Sequence, residues 1–227
     1  MTPLIAASLQ AARAQSRAVV LATRLPDGAQ ILLPDPAAPP ALAEAAASAI
    51  RRDASATVRL GDEHWFLAVQ NPRLRLVLVG AVHIAQAMLP FAASLGMEVA
   101  VLDPRRAFAT AERFPGAALH HGWPDEALES LRPDARTAVV ALTHDPKLDD
   151  PALDCALRHD PFYIGALGSR KTHARRLERL AALGHDAASL ARIHGPLGLR
   201  IGAVSAPEIA LSAIAQIVAV RRGGALA

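Results

Sequence analysis

The hydrophobic rhythm of the chain changes near residue 70. Before that point, short alternating runs are separated by polar turns. "AVVLATRL" and "AQILL" flank "PDG", and "SATVRL" and "HWFLAV" flank "GDE". A period of two marks half-buried strands, and both separators are turn sequences, so two hairpin-type pairs are expected. Helices are predicted over Pro3 to Gln15 and Ala41 to Arg52, with "PDPAAPP" as a loop. Residues 1–70 therefore form a small α+β N-terminal domain, and "QNPR" reads as a linker.

From Leu74 onward the rhythm is strand, helix, strand. "LRLVLVG" is an unbroken apolar run, as expected for a strand covered on both faces. A helix over Val82 to Leu95 contains Pro90, which would kink it, and ends at the C-capping Gly96. "EVAVLD", a helix over Ala107 to Arg113, "AALHH", a helix over Asp125 to Leu131, and "TAVVALTH" follow. Next come a helix over Asp150 to Arg158, "FYIGALG", and a helix over Arg170 to Leu183. "IHGPLGLRIGAVS" reads as a glycine-rich loop. Ser205 and Glu208 form a capping box around Pro207, and the last helix runs to Arg222 before "GG". This alternation predicts an α/β fold, doubly wound on a mostly parallel sheet, over residues 74–227.

Composition narrows the class. Of 227 residues, 52% are apolar and 4% aromatic, which supplies a core and favours helices over an all-β sandwich. The formal charge is +3 and the arginines are scattered with no aromatic interleaving, so no nucleic-acid partner is expected. The one cysteine, Cys155, excludes an intrachain disulfide framework and a cysteine-rich zinc site, and suits a reducing cytoplasm. It lies in an apolar helix pattern and reads as a buried, inert thiol. His120 and His121 alone are not a metal site, so no metal is expected. The first residues lack the pattern of a signal peptide, and no stretch reaches the ~18 apolar residues of a membrane span. A cytoplasmic protein without membrane contact is the expectation.

The candidate chemistry sits at the predicted strand ends. "VGAVHIA" occupies the first strand-to-helix turn, where a dinucleotide fingerprint would place its glycines. Here those positions are Gly80, Val82 and Ala85. Val82 replaces the glycine that admits a pyrophosphate, which argues against ordinary dinucleotide binding and leaves a structural turn as the other reading. His83 would donate to an anion at the helix start, or simply be packed or solvated. Asp103 lies near the ~20-residue offset of a ribose-binding acid. Arg105 and Arg106 would instead hold a phosphate, or the segment is a capped turn with solvated arginines.

"LTHDPKLDD" ends a central strand. His144 and Asp145 are candidates for a hydrogen-bonded acid–base pair, with Lys147 as an added cation. Asp149 and Asp150 are read as a helix start that favours the dipole. In "YIGALGSRK", Gly165 and Gly168 permit a tight loop, and the N–H groups around Ser169 form an anion cradle. Arg170 and Lys171 stand at a helix N-terminus, where cations are unfavourable unless an anion docks there. Gly195, Gly198 and Gly202 suit a loop folded against the sheet mouth, from which His194 would reach the site.

Taken in order, "VLVGAVHIAQAM", "VLDPRRAFATAERFPG", "ALTHDPKLDDPAL", "YIGALGSRKTHARRLERL", "ARIHGPLGLRIGA" and "PEIALSAIAQIVAVRR" resemble the XdhC/CoxI family. These are accessory proteins for maturation of xanthine dehydrogenase and carbon monoxide dehydrogenase-type molybdoenzymes. The resemblance covers about Leu74 to Arg222. It implies a Rossmann-like domain behind a smaller N-terminal one. It also implies a chaperone, rather than an enzyme with its own turnover, that binds the molybdenum cofactor as molybdopterin or its nucleotide form. Such a chaperone protects the cofactor during sulfuration and delivers it to a xanthine dehydrogenase-family apoenzyme. A cysteine desulfurase is the implied second partner and a homodimer the implied state. Gly80, His83, Asp103, Arg105, His144, Asp145, Gly165, Gly168, Ser169, Arg170, Lys171 and His194 would line the cofactor's mouth. Many members carry a Gly-Ser-x-Pro-Arg stretch and a Gly-Cys motif in the N-terminal third. Here "ATRLPDGAQILLP" stands near the first, and no cysteine precedes Cys155. The alternative reading is an NAD(P)-dependent oxidoreductase or a nucleotide-sensing module using the same pocket.

Overall fold

The computed structural model describes residues 2–225 and divides into two compact units, the first ending at Pro72 and the second starting at Arg73. In the first unit, helix α1 (Pro3–Ala14) precedes the hairpin β1 (Val19–Leu25) and β2 (Gln30–Leu33). Helix α2 (Pro40–Arg52) follows, then the hairpin β3 (Ala56–Leu60) and β4 (Glu63–Gln70). The antiparallel order is β2-β1-β4-β3. Leu42, Ala46 and Ala49 of α2 cover Val20, Ala22, Trp65 and Leu67 of the sheet.

The second unit is built on β5 (Arg75–Val79), β6 (Glu98–Leu102), β7 (Ala118–His120), β8 (Thr137–Ala141), β9 (Tyr163–Ala166) and β10 (Ile193–His194). Its helices are α3 (His83–Ser94), α4 (Pro124–Leu131), α5 (Pro146–Arg158), α6 (Arg170–Ala182), α7 (Ala187–Leu190) and α8 (Ala206–Arg222). The sheet order is β10-β9-β8-β5-β6-β7 and every pairing is parallel. This is the Rossmann order, with the direction of winding reversing between β5 and β8. Alternation along the central strands fills both faces. Leu76, Leu78, Ala138 and Val140 face the layer that includes α3 and α8. Val77, Val79, Val139 and Ala141 face the layer of α4, α5 and α6.

The elements differ from expectation in four places, one of them the short, unpredicted α7. Residues 107–113 form successive turns rather than a helix. Helix α5 starts at Pro146, four residues before the predicted Asp150, because Asp145 caps it by accepting the Lys147 N–H at 2.9 Å and proline suits the first helical position. The glycine-rich segment contributes β10, a two-residue strand paired with Ile164 and Gly165 that no periodicity could reveal.

Candidate functional site

In a doubly wound sheet, ligands bind beyond the carboxyl ends of the strands at the switch point. In this unit two polar clusters hold those ends, one around Asp103 and one around Asp149. Asp103, fully buried after β6, accepts the Ala81 N–H at 2.8 Å from the turn after β5. Its other partners are the Arg105 N–H and a two-pronged contact from the Arg105 guanidinium, at 2.8 and 2.9 Å. Burial works to raise the Asp103 carboxyl, but the Arg105 guanidinium and the two N–H donors outweigh it and hold the group below the usual carboxylate range. Both oxygens of Asp103, weighed from the sequence as a ribose-binding acid, have internal donors here. Asp103 fixes the turn after β5 and aims Arg105.

The turn itself begins at Gly80, whose φ is +107°. A Cβ there would lie 2.5 Å from Thr143 Cγ2, so the glycine lets the turns after β5 and β8 touch. Thr143 opens the second cluster. Its hydroxyl donates to Asp149 Oδ1 at 2.7 Å, while the His144 N–H donates to Oδ2 at 3.1 Å. His144 adopts φ +61°, a left-handed conformation that costs a non-glycine residue about 1 kcal/mol and that here turns its N–H onto Asp149. Asp149 is 1% exposed and meets Arg176, 2% exposed, at 3.4 Å. Arg176 in turn donates to the Leu167 carbonyl at the end of β9. Burial pushes the Asp149 carboxyl up, with Thr143 and Arg176 opposing. Asp149 and Asp150 are thus more than a favourable helix start. Both are buried, and Asp150 pairs with Arg179.

Two basic clefts flank these clusters. One, of about 400 Å³, is lined by Ala81, Val82, His83, Arg105, Phe108 and Arg113. It lies over the start of α3, which has no side-chain cap, so its first N–H groups face the cleft. Arg105 stacks on Phe108 at 4.8 Å, and Arg113 is braced by Gln86 and the Phe108 carbonyl. Asp145 is near enough to Arg105 for its charge to act on it. The second cleft, of about 420 Å³, holds Arg170, Arg200, Ser212 and Gln216 beside the loop 196–203.

The other residues singled out from sequence fall as follows. Ser169 caps α6 by accepting the Thr172 N–H at 3.1 Å, with Arg170 and Lys171 exposed beside it. Gly168, at φ +139°, makes the turn. Gly165 does not: it sits inside β9, where a Cβ would meet the Tyr163 ring at 2.6 Å and Leu197 at 2.7 Å. His194 stacks on Tyr163 at 4.8 Å, so its ring is held in β10, and burial lowers its basicity. No hydrogen bond joins His144 to Asp145 among the described residues; Asp145 serves as the cap of α5. Gly198 rests on α8, where Gln216 accepts its N–H at 2.9 Å. Cys155 is free and buried, and burial together with Glu129 pushes its thiol up to about 11.

The family described as the XdhC Rossmann domain matches residues 76–217. The chain belongs to the XdhC family. The chain is 34% identical over 151 residues to the molybdenum cofactor insertion chaperone PaoD of Escherichia coli K12, covering 66% of this chain and 41% of PaoD. It is 32% identical over 158 residues to a probable xanthine dehydrogenase subunit of Bacillus subtilis 168, covering 69% of this chain and 46% of that protein. Identity to the uncharacterized protein YqeB of Escherichia coli K12 is 35% over 158 residues, 69% of this chain and 29% of YqeB. The matches thus span less than half the length of these relatives. Among solved structures, a xanthine dehydrogenase from Bacillus halodurans shares the fold. The TM-score is 0.72 at 21% identity, over 95% of this chain and 63% of that one. Within the XdhC domain the buried Asp149–Arg176 contact escaped sequence reasoning. The two residues are 27 apart in sequence, and no local pattern pairs them.

The Asp103–Arg105 contact has a pH consequence. A carboxyl whose folded pKa is depressed contributes stability above its unfolded value, about 3.9, and loses it as pH falls toward the folded value. Asp103→Asn is expected to cost about 2–3 kcal/mol at neutral pH, in line with loss of a charge-assisted hydrogen bond. It should also flatten the acid limb of stability below about pH 4. Melting temperatures of both proteins between pH 7 and 2 test this; parallel acid limbs would refute it.

Proposed function

We propose that this chain binds the molybdenum cofactor at the strand ends of its XdhC domain and serves as an accessory chaperone for a xanthine dehydrogenase-family molybdoenzyme. The observation that carries the reading is Arg105, aimed by buried Asp103 over the uncapped start of α3. That arrangement suits an anion, and the cofactor is a phosphorylated pterin. The fit is specific to that end of the molecule. Arg105, Arg113 and the α3 amides would hold the phosphate, with Arg170 and Arg200 in the second cleft available to a nucleotide extension. Phe108, already under Arg105, would offer a flat apolar face to a ring. No thiol lies at the strand ends, since Cys155 is in the body of α5, so this chain offers no cysteine ligand to the metal there.

When bound, the cofactor would supply the redox chemistry of the client enzyme. The residues here would bind and orient it and keep it from bulk water until sulfuration, with a cysteine desulfurase, and hand-over. The nicotinamide alternative is opposed by Val82 and by the engagement of both Asp103 oxygens.

The deciding measurement is anaerobic incubation with molybdopterin and, separately, with NADP, followed by gel filtration and assay of retained pterin, molybdenum and nicotinamide. Retention of pterin and molybdenum is expected. Losing one arginine–phosphate contact, worth about 1.5–3 kcal/mol, should weaken binding about 10- to 100-fold in Arg105→Gln or Arg170→Ala, with circular dichroism unchanged. Retention of nicotinamide without pterin would overturn the reading.

A further inference from the structure

A second constellation lies away from the strand ends. Cys155 lies in the last turn of α5, and His159 is the extended residue that caps its C-terminus; Glu129 of α4 meets both side chains there. Glu129 Oε2 lies 3.5 Å from Cys155 Sγ and 3.2 Å from His159 Nε2. The three donor atoms all fall within 4.8 Å of one another. Cys155 is about 14 Å along α5 from Pro146, which starts at the strand ends, so this cluster is separate from both basic clefts.

These spacings have a specific meaning. Zinc binds sulfur at about 2.3 Å and nitrogen or oxygen at about 2.0–2.1 Å. At a tetrahedral angle those bonds place sulfur and oxygen about 3.5 Å apart and nitrogen and oxygen about 3.3 Å apart. The observed edges match both. A thiolate, a carboxylate and a neutral imidazole would also balance a divalent charge, which matters beside a fully buried sulfur. Sulfur and imidazole select a borderline ion over magnesium or calcium, which prefer oxygen. The exposed Glu129 carboxylate gives an entry route and leaves a fourth position for water. Arg158, the cation beside the thiol, is paired with Asp154, which also takes His185 at 2.7 Å.

We propose that Cys155, His159 and Glu129 form a Zn²⁺ site that clamps α4 to α5. Such a site is independent of whether the strand ends bind the molybdenum cofactor.

The test uses the full chain with Zn²⁺ or Co²⁺ alone. After incubation with Zn²⁺ and desalting, one equivalent of zinc is expected by elemental analysis. Co²⁺ should give a sulfur-to-metal charge-transfer band in the near ultraviolet, with the intense visible bands of a tetrahedral ion. Cys155→Ser should abolish that band. Glu129→Gln, on an exposed side chain that the fold does not need, should weaken binding more than the 10- to 100-fold typical of losing an outer partner. The proposal is overturned if the wild-type chain retains no zinc, if Co²⁺ shows no sulfur band, or if zinc is retained equally by Glu129→Gln.

Discussion

Arg176→Met is expected to destabilise the XdhC domain by about 3–5 kcal/mol near neutral pH, the range for stranding one member of a buried ion pair. Arg176 is 2% exposed and Asp149 1% exposed, so neither can turn to water. Removing the guanidinium leaves a carboxylate whose charge is opposed by burial and supported only by Thr143 and the His144 N–H. The loss should therefore depend on pH. Burial already raises the Asp149 carboxyl in the folded state, and the variant raises it further. A group with a raised folded pKa costs nothing below its unfolded value, about 3.9, where both states hold the proton. As pH rises, the unfolded chain releases its proton first and the folded state falls behind until its own pKa is passed. The destabilisation should be clearly larger at pH 7.5 than at pH 4.5. Asp149→Asn added to Arg176→Met should recover part of it, because the amide oxygen still accepts the Thr143 N–H while the stranded charge is gone. Urea unfolding of the wild type, both single variants and the double variant at both pH values checks this. Equal losses at both, or strict additivity of the two substitutions, would sink the account.

That contact also shows where sequence reasoning stops. The βα alternation, the two N-terminal hairpins and the final capped helix were legible because each is local: a period, a turn, a cap. Glu208, for instance, accepts the Ser205 N–H three residues away at 2.8 Å. Asp103 and Arg105 could have been paired from spacing alone, since Pro104 between them restricts the turn. Asp149 and Arg176 are 27 residues apart and meet only because β8 and β9 are neighbours and His144 takes a left-handed turn. No period encodes that. The same holds for Gly165, which reads as a loop glycine beside Gly168 but is demanded by the Tyr163 ring and Leu197. Cys155 read as an inert thiol, because Glu129, which meets it and His159, comes from another helix.

Strand ends are where this matters most. The parallel sheet sets four of them side by side, and residues distant in sequence meet in two polar clusters, Asp103 with the turn after β5 and Arg105, and Thr143 with Asp149 and Arg176. Arg170 is exposed beside them, and Arg105, bound to Asp103 through two of its nitrogens, is itself partly exposed. Buried acids thus hold the frame while Arg170 stays at the rim.

Gly80→Ala should separate frame from ligand site most sharply. At φ +107° an L side chain is strained by about 1–2 kcal/mol, and a Cβ placed 2.5 Å from Thr143 Cγ2 adds an overpacking cost of about 1–3 kcal/mol. The sum, about 2–5 kcal/mol, corresponds to a fall in melting temperature of roughly 5–15 °C for a domain of this size. The methyl group of Thr143 is the obstacle, whereas its hydroxyl is the part bonded to Asp149 at 2.7 Å. Thr143→Ser deletes the first and keeps the second. In the double variant the steric share should return while the backbone share remains, so its melting temperature should lie between those of Gly80→Ala and Thr143→Ser. Had Gly80 instead been required only for close approach of a phosphate, Gly80→Ala would melt within about a degree of wild type and lose ligand alone. Thermal melts of the wild-type, single and double variants, run without ligand, distinguish the two.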